Sequence, residues 1–138
     1  MIKDDCIFCK LANGIIPTNK IYEDDDFTVI LDLSPANTGH ALIIPKQHYD
    51  NLLELDDEIA SKVLPLAKRI ASVMKEVLNA DGINIVQNNG VAANQTIPHF
   101  HTHIIPRYDN DGCGIIWPQK EPDADELAAL AEKLAAKL

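Results

Sequence analysis

His99, His101 and His103 recur at alternate positions in a short run, interleaved with Phe100 and Thr102 and followed by Ile104, Ile105 and Pro106. Because side chains on a strand point to opposite faces in turn, a strand here gathers all three imidazoles on one face. Phe100, Thr102 and Ile104 then fall on the other, which is expected to be buried. With a reference pKa of about 6.5 an imidazole is mostly neutral at pH 7, so it can act as nucleophile, proton carrier or metal ligand. At about 3.3 Å per residue, neighbouring histidines lie about 6.6 Å apart and the outer two about 13 Å apart. Two neighbours could share one metal with a third ligand from elsewhere, since zinc sits about 2.0–2.1 Å from a ring nitrogen, but the whole row could not. The row asks for divided labour. Cys6-x-x-Cys9 is a second cluster, open by itself to redox, metal and plain core readings, while Cys113, between Gly112 and Gly114, reads as a free thiol.

The elements that must position these groups follow from periodicity and punctuation. Residues 4–13 predict a short helix stopped by Gly14. Lys20 to Glu23 and Phe27 to Asp32 read as strands joined by the acidic turn Asp24-Asp25-Asp26, and Ala41 to Ile44 as a third strand ahead of Pro45. Asp56 can cap the principal helix, whose Ile59, Val63, Leu66, Ile70, Val73 and Val77 recur at steps of three and four. Pro65 falls inside it and predicts a kink or two abutting helices near Leu64. Gly82 to Gln87 predicts a fourth strand, residues 88–96 a polar loop, and Pro98 to Pro106 a fifth strand. Asp123 caps a last helix with Leu127, Leu130, Leu134 and Leu138 along one side. This order predicts an α+β fold: a five-stranded antiparallel sheet with helices on one face and a C-terminal helix, in a single domain over residues 1–138.

Composition sets broader bounds. A chain of 138 residues, 46% of them hydrophobic, suits one compact core. The formal charge of −9 argues against a nucleic-acid partner, whose binding surface would be basic, but leaves room for a local anion site built from imidazoles and N–H groups. No apolar run approaches the roughly 20 residues of a membrane helix, and the first residues lack a secretory pattern. Three cysteines, two of them close together, suit a reducing compartment. A cytoplasmic protein with no membrane partner is expected.

The run from His99 to Ile105, preceded by Gln95-Thr96, resembles the signature of the histidine triad (HIT) family, in which histidine alternates with mostly hydrophobic residues. Asp32-Leu33-Ser34-Pro35, Gly39-His40, Pro45-Lys46-Gln47-His48 and Asn88 also stand where that family has comparable residues, so the likeness runs from Cys6 to Trp117. The resemblance implies a homodimeric nucleotide-binding hydrolase or transferase acting at the α-phosphate of a nucleoside monophosphate joined to a leaving group. His101 would be the nucleophile that forms a nucleotidyl-histidine, a covalent step that splits one hard displacement into two easier ones. Its other ring nitrogen then needs an acceptor such as a backbone carbonyl. His103 and His40 would support the phosphate or the leaving group, and Gln95 and Thr96 would hold phosphate oxygens. Asp32 would accept the ribose hydroxyls, Asn88 tilts the reading toward the phosphoramidase-like branch, and Ile7, Phe8, Phe27 and Ile30 would line a purine pocket. Asn94 stands where the family usually has glycine, and asparagine tolerates left-handed backbone angles. Some bacterial members carry a structural zinc, one per subunit and not needed for catalysis; the likeness assigns Cys6, Cys9, His48 and His99 as its ligands. Arg107, just past Pro106, can pair with phosphate or stand as a surface charge on an exposed strand end, and Trp117-Pro118 resembles a motif that reaches toward the partner subunit's site.

Two readings from other classes stand beside this one. A zinc-dependent, cupin-like hydrolase would have His101 and His103 share a catalytic metal. A nucleotide-binding interaction protein would hydrolyse only incidentally. Within the HIT reading, an amine leaving group suits the phosphoramidase-like branch, and a second nucleotide joined through a polyphosphate suits dinucleoside polyphosphate hydrolases.

Overall fold

A computed structural model describes residues 1–138. Strands β1 (Lys20–Glu23), β2 (Phe27–Leu31) and β3 (Ala41–Pro45) form a meander, and β4 (Gly82–Val86) and β5 (Thr102–Arg107) complete an antiparallel sheet in the order β1-β2-β3-β5-β4. The first hairpin closes because the Asp24 carboxylate accepts the N–H groups of Asp26 and Phe27 at 2.8 and 2.7 Å. β5 lies between β3 and β4, with His103 opposite Leu42 on one side and Val86 on the other. The third histidine of the row is thereby held inside the sheet.

Strand alternation sorts the side chains into two layers. Phe27, Val29, Ala41, Ile43, Phe100 and Ile104 pack with Val63, Leu66, Ala67 and Met74 of helix α2 (Asp57–Leu78). Ile30, Leu42 and Ile44 face the other way, against Phe8, Cys9 and Ala12 of helix α1 (Ile7–Ala12). The expectation of helices on one face is met by α2 and corrected by α1. The small buried side of α1 matches the apolar strip that the even-numbered strand residues leave uncovered on the opposite face.

α2 runs as one helix for 22 residues through Pro65, so of the kink or two abutting helices expected near Leu64 the division into two does not occur. Ser61, whose carbonyl loses its helical donor, and Pro65 itself are both exposed, so water can serve the freed group. Asp56 caps the helix by accepting the Glu58 N–H at 2.9 Å, and Asn79 ends it in the left-handed region at φ 52°. β5 begins at Thr102, so His99 and His101 precede the regular strand. Thr102 is buried as expected, with its hydroxyl unpaired. The last helix, α3 (Ala124–Ala135), buries none of its residues, and Leu127, Leu130, Leu134 and Leu138 are exposed. No helix is long and apolar enough to cross a membrane.

Candidate active site

His101 is buried, and its Nδ1–H donates to the His99 carbonyl at 2.7 Å. That bond places the proton on Nδ1 and leaves Nε2 with a free lone pair. The rings of Phe8 and His103 meet it edge-on, with centroids 4.8 and 4.9 Å away. Burial holds the His101 pKa below the ordinary imidazole value, opposed by the carbonyl bond and by Asp32. The ring is therefore neutral and oriented.

A second backbone anchor sets the next two rings. The Ala36 N–H donates to His40 Nδ1 at 3.0 Å, so the proton of neutral His40 lies on Nε2, 2.9 Å from His103 Nδ1. His103 accepts there and carries its own proton on Nε2. Burial, reinforced by His101 and His40, pushes the His103 pKa down to about 4, and burial lowers that of His40. Asp32 Oδ2 lies 3.8 Å from His40 Nε2, while its Oδ1 accepts the Ser34 N–H at 2.8 Å.

His101, His103, Asp32 and Thr96 line a cavity of about 510 Å³ whose apolar wall includes Ile7, Phe8, Leu11 and Ile30. Phe27, expected in that wall, instead sits in the α2 core; it lies three residues before Ile30, and odd separations put strand side chains on opposite faces. Gln95 also departs from expectation. Its Nε2 donates to the carbonyls of Asp50 and Ile97 at 2.7 and 3.0 Å and its Oε1 accepts the Gly90 N–H at 2.8 Å, so the amide braces the loop rather than facing phosphate. Asn88 stands on the far side of His103, in a second cavity with His40, Asn94 and Trp117. Asn94 adopts the expected left-handed conformation at φ 67°.

The phosphate role considered for Arg107 meets a guanidinium with four of its five N–H donors already engaged. Its Nε and Nη2 grip the Asp111 carboxylate at 2.8 and 3.0 Å, Nη1 donates to Asn84 at 2.7 Å and Nη2 to the Cys113 carbonyl at 2.9 Å. Asn37 joins this latch, donating to Asp111 and to the Pro106 carbonyl at 2.8 and 2.9 Å, which fixes the loop that carries Ala36 and His40. Nothing in the chain marked the Ala36 amide, Asn37 or the Arg107–Asp111 pair, whose spacing of four signals a contact only on a helix.

Cys6, Cys9, His48 and His99 bring two Sγ and two Nδ1 atoms within 4.8 Å of one another and could hold a metal ion. Cys6 Sγ is 3.3 Å from His99 Nδ1, and Cys9 Sγ is 3.4 and 3.5 Å from the Nδ1 atoms of His48 and His99. The other nitrogen of each ring is occupied: His99 Nε2–H donates to the Pro45 carbonyl at 2.9 Å and His48 Nε2–H to Asp50 at 2.6 Å. Such partners orient metal-bound histidines and leave Nδ1 lone pairs on the thiol side. Burial lowers the His99 pKa to about 4 and raises that of the Cys9 thiol, so the nitrogen stays unprotonated and a Cys9 thiolate needs a cation. The donor set fits a closed tetrahedral ion. Asp32, His40 and His103 form another grouping of possible ligands, but the Ala36 bond puts a proton on the His40 nitrogen that would have to bind. His101 belongs to neither grouping, which removes the basis for a metal shared between His101 and His103.

The model of the HIT domain family matches residues 13–110. The chain belongs to the histidine triad family. Among its HIT relatives, an adenosine 5'-monophosphoramidase of Saccharomyces cerevisiae is 42% identical over 134 residues, spanning 96% of this chain and 82% of that one. The crystal structure of a HIT family protein from Bacillus anthracis is 40% identical and superposes with a TM-score of 0.89 over 98% of both chains. A Zn-bound histidine triad family protein from Mycobacterium smegmatis is 38% identical, with a TM-score of 0.76 over 96% of this HIT chain and 97% of its own.

Proposed function

We propose that this protein is a nucleotide hydrolase that cleaves nucleoside 5'-phosphoramidates, or related phosphoanhydrides, at the α-phosphate through a covalent intermediate on His101. The observation that carries the reading is the bond from His101 Nδ1–H to the His99 carbonyl, which frees Nε2 of a neutral ring at the wall of a cavity large enough for a mononucleotide. The likeness to an adenosine 5'-monophosphoramidase supports a purine nucleotide as substrate.

In the first step Nε2 attacks phosphorus, an N–P bond forms and the bond to the amine breaks. The positive charge that develops on the ring is met by the His99 carbonyl at 2.7 Å. His103, with its proton on Nε2, donates toward phosphate or the departing amine, and His40 holds it in that tautomer. Water then attacks phosphorus, an O–P bond forms, the N–P bond breaks to release the nucleoside monophosphate and neutral His101, and the proton that water loses balances the one the amine took up. Asp32 takes the ribose hydroxyls and Thr96 a phosphate oxygen, while Ile7, Phe8 and Ile30 flank the base. Asn88, Asn94 and Trp117 border the leaving-group side.

Zinc, held by Cys6, Cys9, His48 and His99, supplies cross-linking and no chemistry, because four protein ligands leave it no open position. The Zn-bound relative supports that choice of metal. The reading further assigns residues 1–138 to one HIT domain, a homodimer as its assembly and the cytoplasm as its location, where reduced thiols persist.

Acid-free quenching of the enzyme with an α-labelled adenosine phosphoramidate tests the proposal. Wild type is expected to carry label on His101, and His101→Ala to carry none and to lose turnover by at least about 10³-fold. If no adenylyl or guanylyl substrate ever labels His101, the enzymatic reading falls.

A further inference from the structure

Resting on the nucleotide-binding reading, we infer that the metal cluster and the nucleotide cavity form one coupled unit through α1, so that metal and nucleoside monophosphate each strengthen the binding of the other. The two residues enclosed by the Cys6-x-x-Cys9 pair are Ile7 and Phe8, and both stand in the cavity wall. Cys6 is also the N-cap of α1, its Sγ accepting the Cys9 N–H at 3.4 Å. A helix of six residues has no stability of its own, so its place depends on what ties it down. Its far end is held by Asn13 to the Lys46 carbonyl at 3.0 Å and by Thr28 to the Ala12 carbonyl at 2.7 Å. Its near end, which gives Ile7 and Phe8 to the cavity wall, is held by the two cysteines facing His48 and His99.

The other side of the cluster reaches the nucleophile. His99 presents its ring to the thiols and its carbonyl to His101 Nδ1, and Phe8 packs its edge 4.8 Å from the His101 ring. Filling the cluster therefore fixes both the wall that meets the base and the carbonyl that orients the attacking ring. Coupling between two binding sites is reciprocal, and a shared element of this kind is worth on the order of tenfold in affinity.

The test uses zinc and AMP. Calorimetry on the zinc-loaded protein and on protein stripped with a chelator is expected to give AMP binding about tenfold weaker without metal. In the loaded protein, needing no stripped sample, saturating AMP is expected to slow zinc transfer to a chromophoric chelator by a similar factor. His48→Ala, which lies outside the cavity wall, is expected to weaken zinc and AMP together, and His48→Cys, which restores a four-ligand set, to recover both. Equal AMP affinity with and without zinc, together with AMP-independent zinc release, overturns the coupling while leaving the hydrolase reading intact. Failure of AMP to bind the loaded protein overturns that reading instead.

Discussion

Main-chain groups set the chemistry of the catalytic histidines, two directly and one through its neighbour. A carbonyl selects the tautomer of His101, an amide that of His40, and His40 in turn that of His103. Their neutrality makes stability depend on pH in a definite direction. The folded pKa of His103 is about 4 against an ordinary 6.5, with His40, His101 and Asp32 as the titratable groups around it. Between those values the unfolded chain binds more protons than the folded one. The contribution is thus complete above pH 6.5 and lost as pH falls toward 4. Urea midpoints are expected to decline over that window, and His103→Gln to flatten the decline; an unchanged slope in the variant would place the proton uptake elsewhere. The alternation of His99, His101 and His103 was legible because residue type and spacing mark it. The placements of Gln95 and Arg107 were not: Asp50 and Asn84 lie 45 and 23 residues away along the chain, and the nearer partners Gly90, Ile97 and Cys113 offer main-chain groups that no residue type marks.

Elements were legible where a period or a cap recorded them. The four strand residues of β1 and the Asp56 cap of α2 stand where the pattern placed them, whereas the start of β5 slipped to Thr102 because backbone pairing, not side-chain alternation, defines a strand end. Which face a short helix covers has no local signal, so α1 against Ile30, Leu42 and Ile44 could be found only in three dimensions. At Pro65 the helix does not divide, for a physical reason: on an exposed side of α2 the lost hydrogen bond falls to water, and packing of Val63, Leu66 and Ala67 carries the helix through. Pro65→Ala restores the N–H that the Ser61 carbonyl lacks. Set against the freedom regained by the unfolded chain, the net expectation is a gain of roughly 2 kcal/mol in chemical denaturation. A loss would mean that proline's shape is part of how α2 seats on the sheet.

The sheet divides the whole molecule into a layer that supplies stability and a layer that supplies chemistry. Behind it lies the continuous core with α2; in front lie α1, the metal cluster and the nucleotide cavity, with His103 built into β5, an interior strand that both layers share. α3 belongs to neither. Its leucine row is as regular as a core-facing helix requires, yet every residue of it is exposed, since periodicity states that a helix has an apolar side and not what covers it. Removing residues 122–138 therefore takes no buried side chain from the body of the chain. At protein concentrations low enough to exclude association, the truncated chain is expected to melt at the same temperature as the full one by far-UV circular dichroism, and to keep its zinc and AMP affinities. A midpoint lowered by several degrees, roughly what 1 kcal/mol produces in a domain of this size, would show that the leucines stabilise their own chain through contacts that the fold described above does not contain.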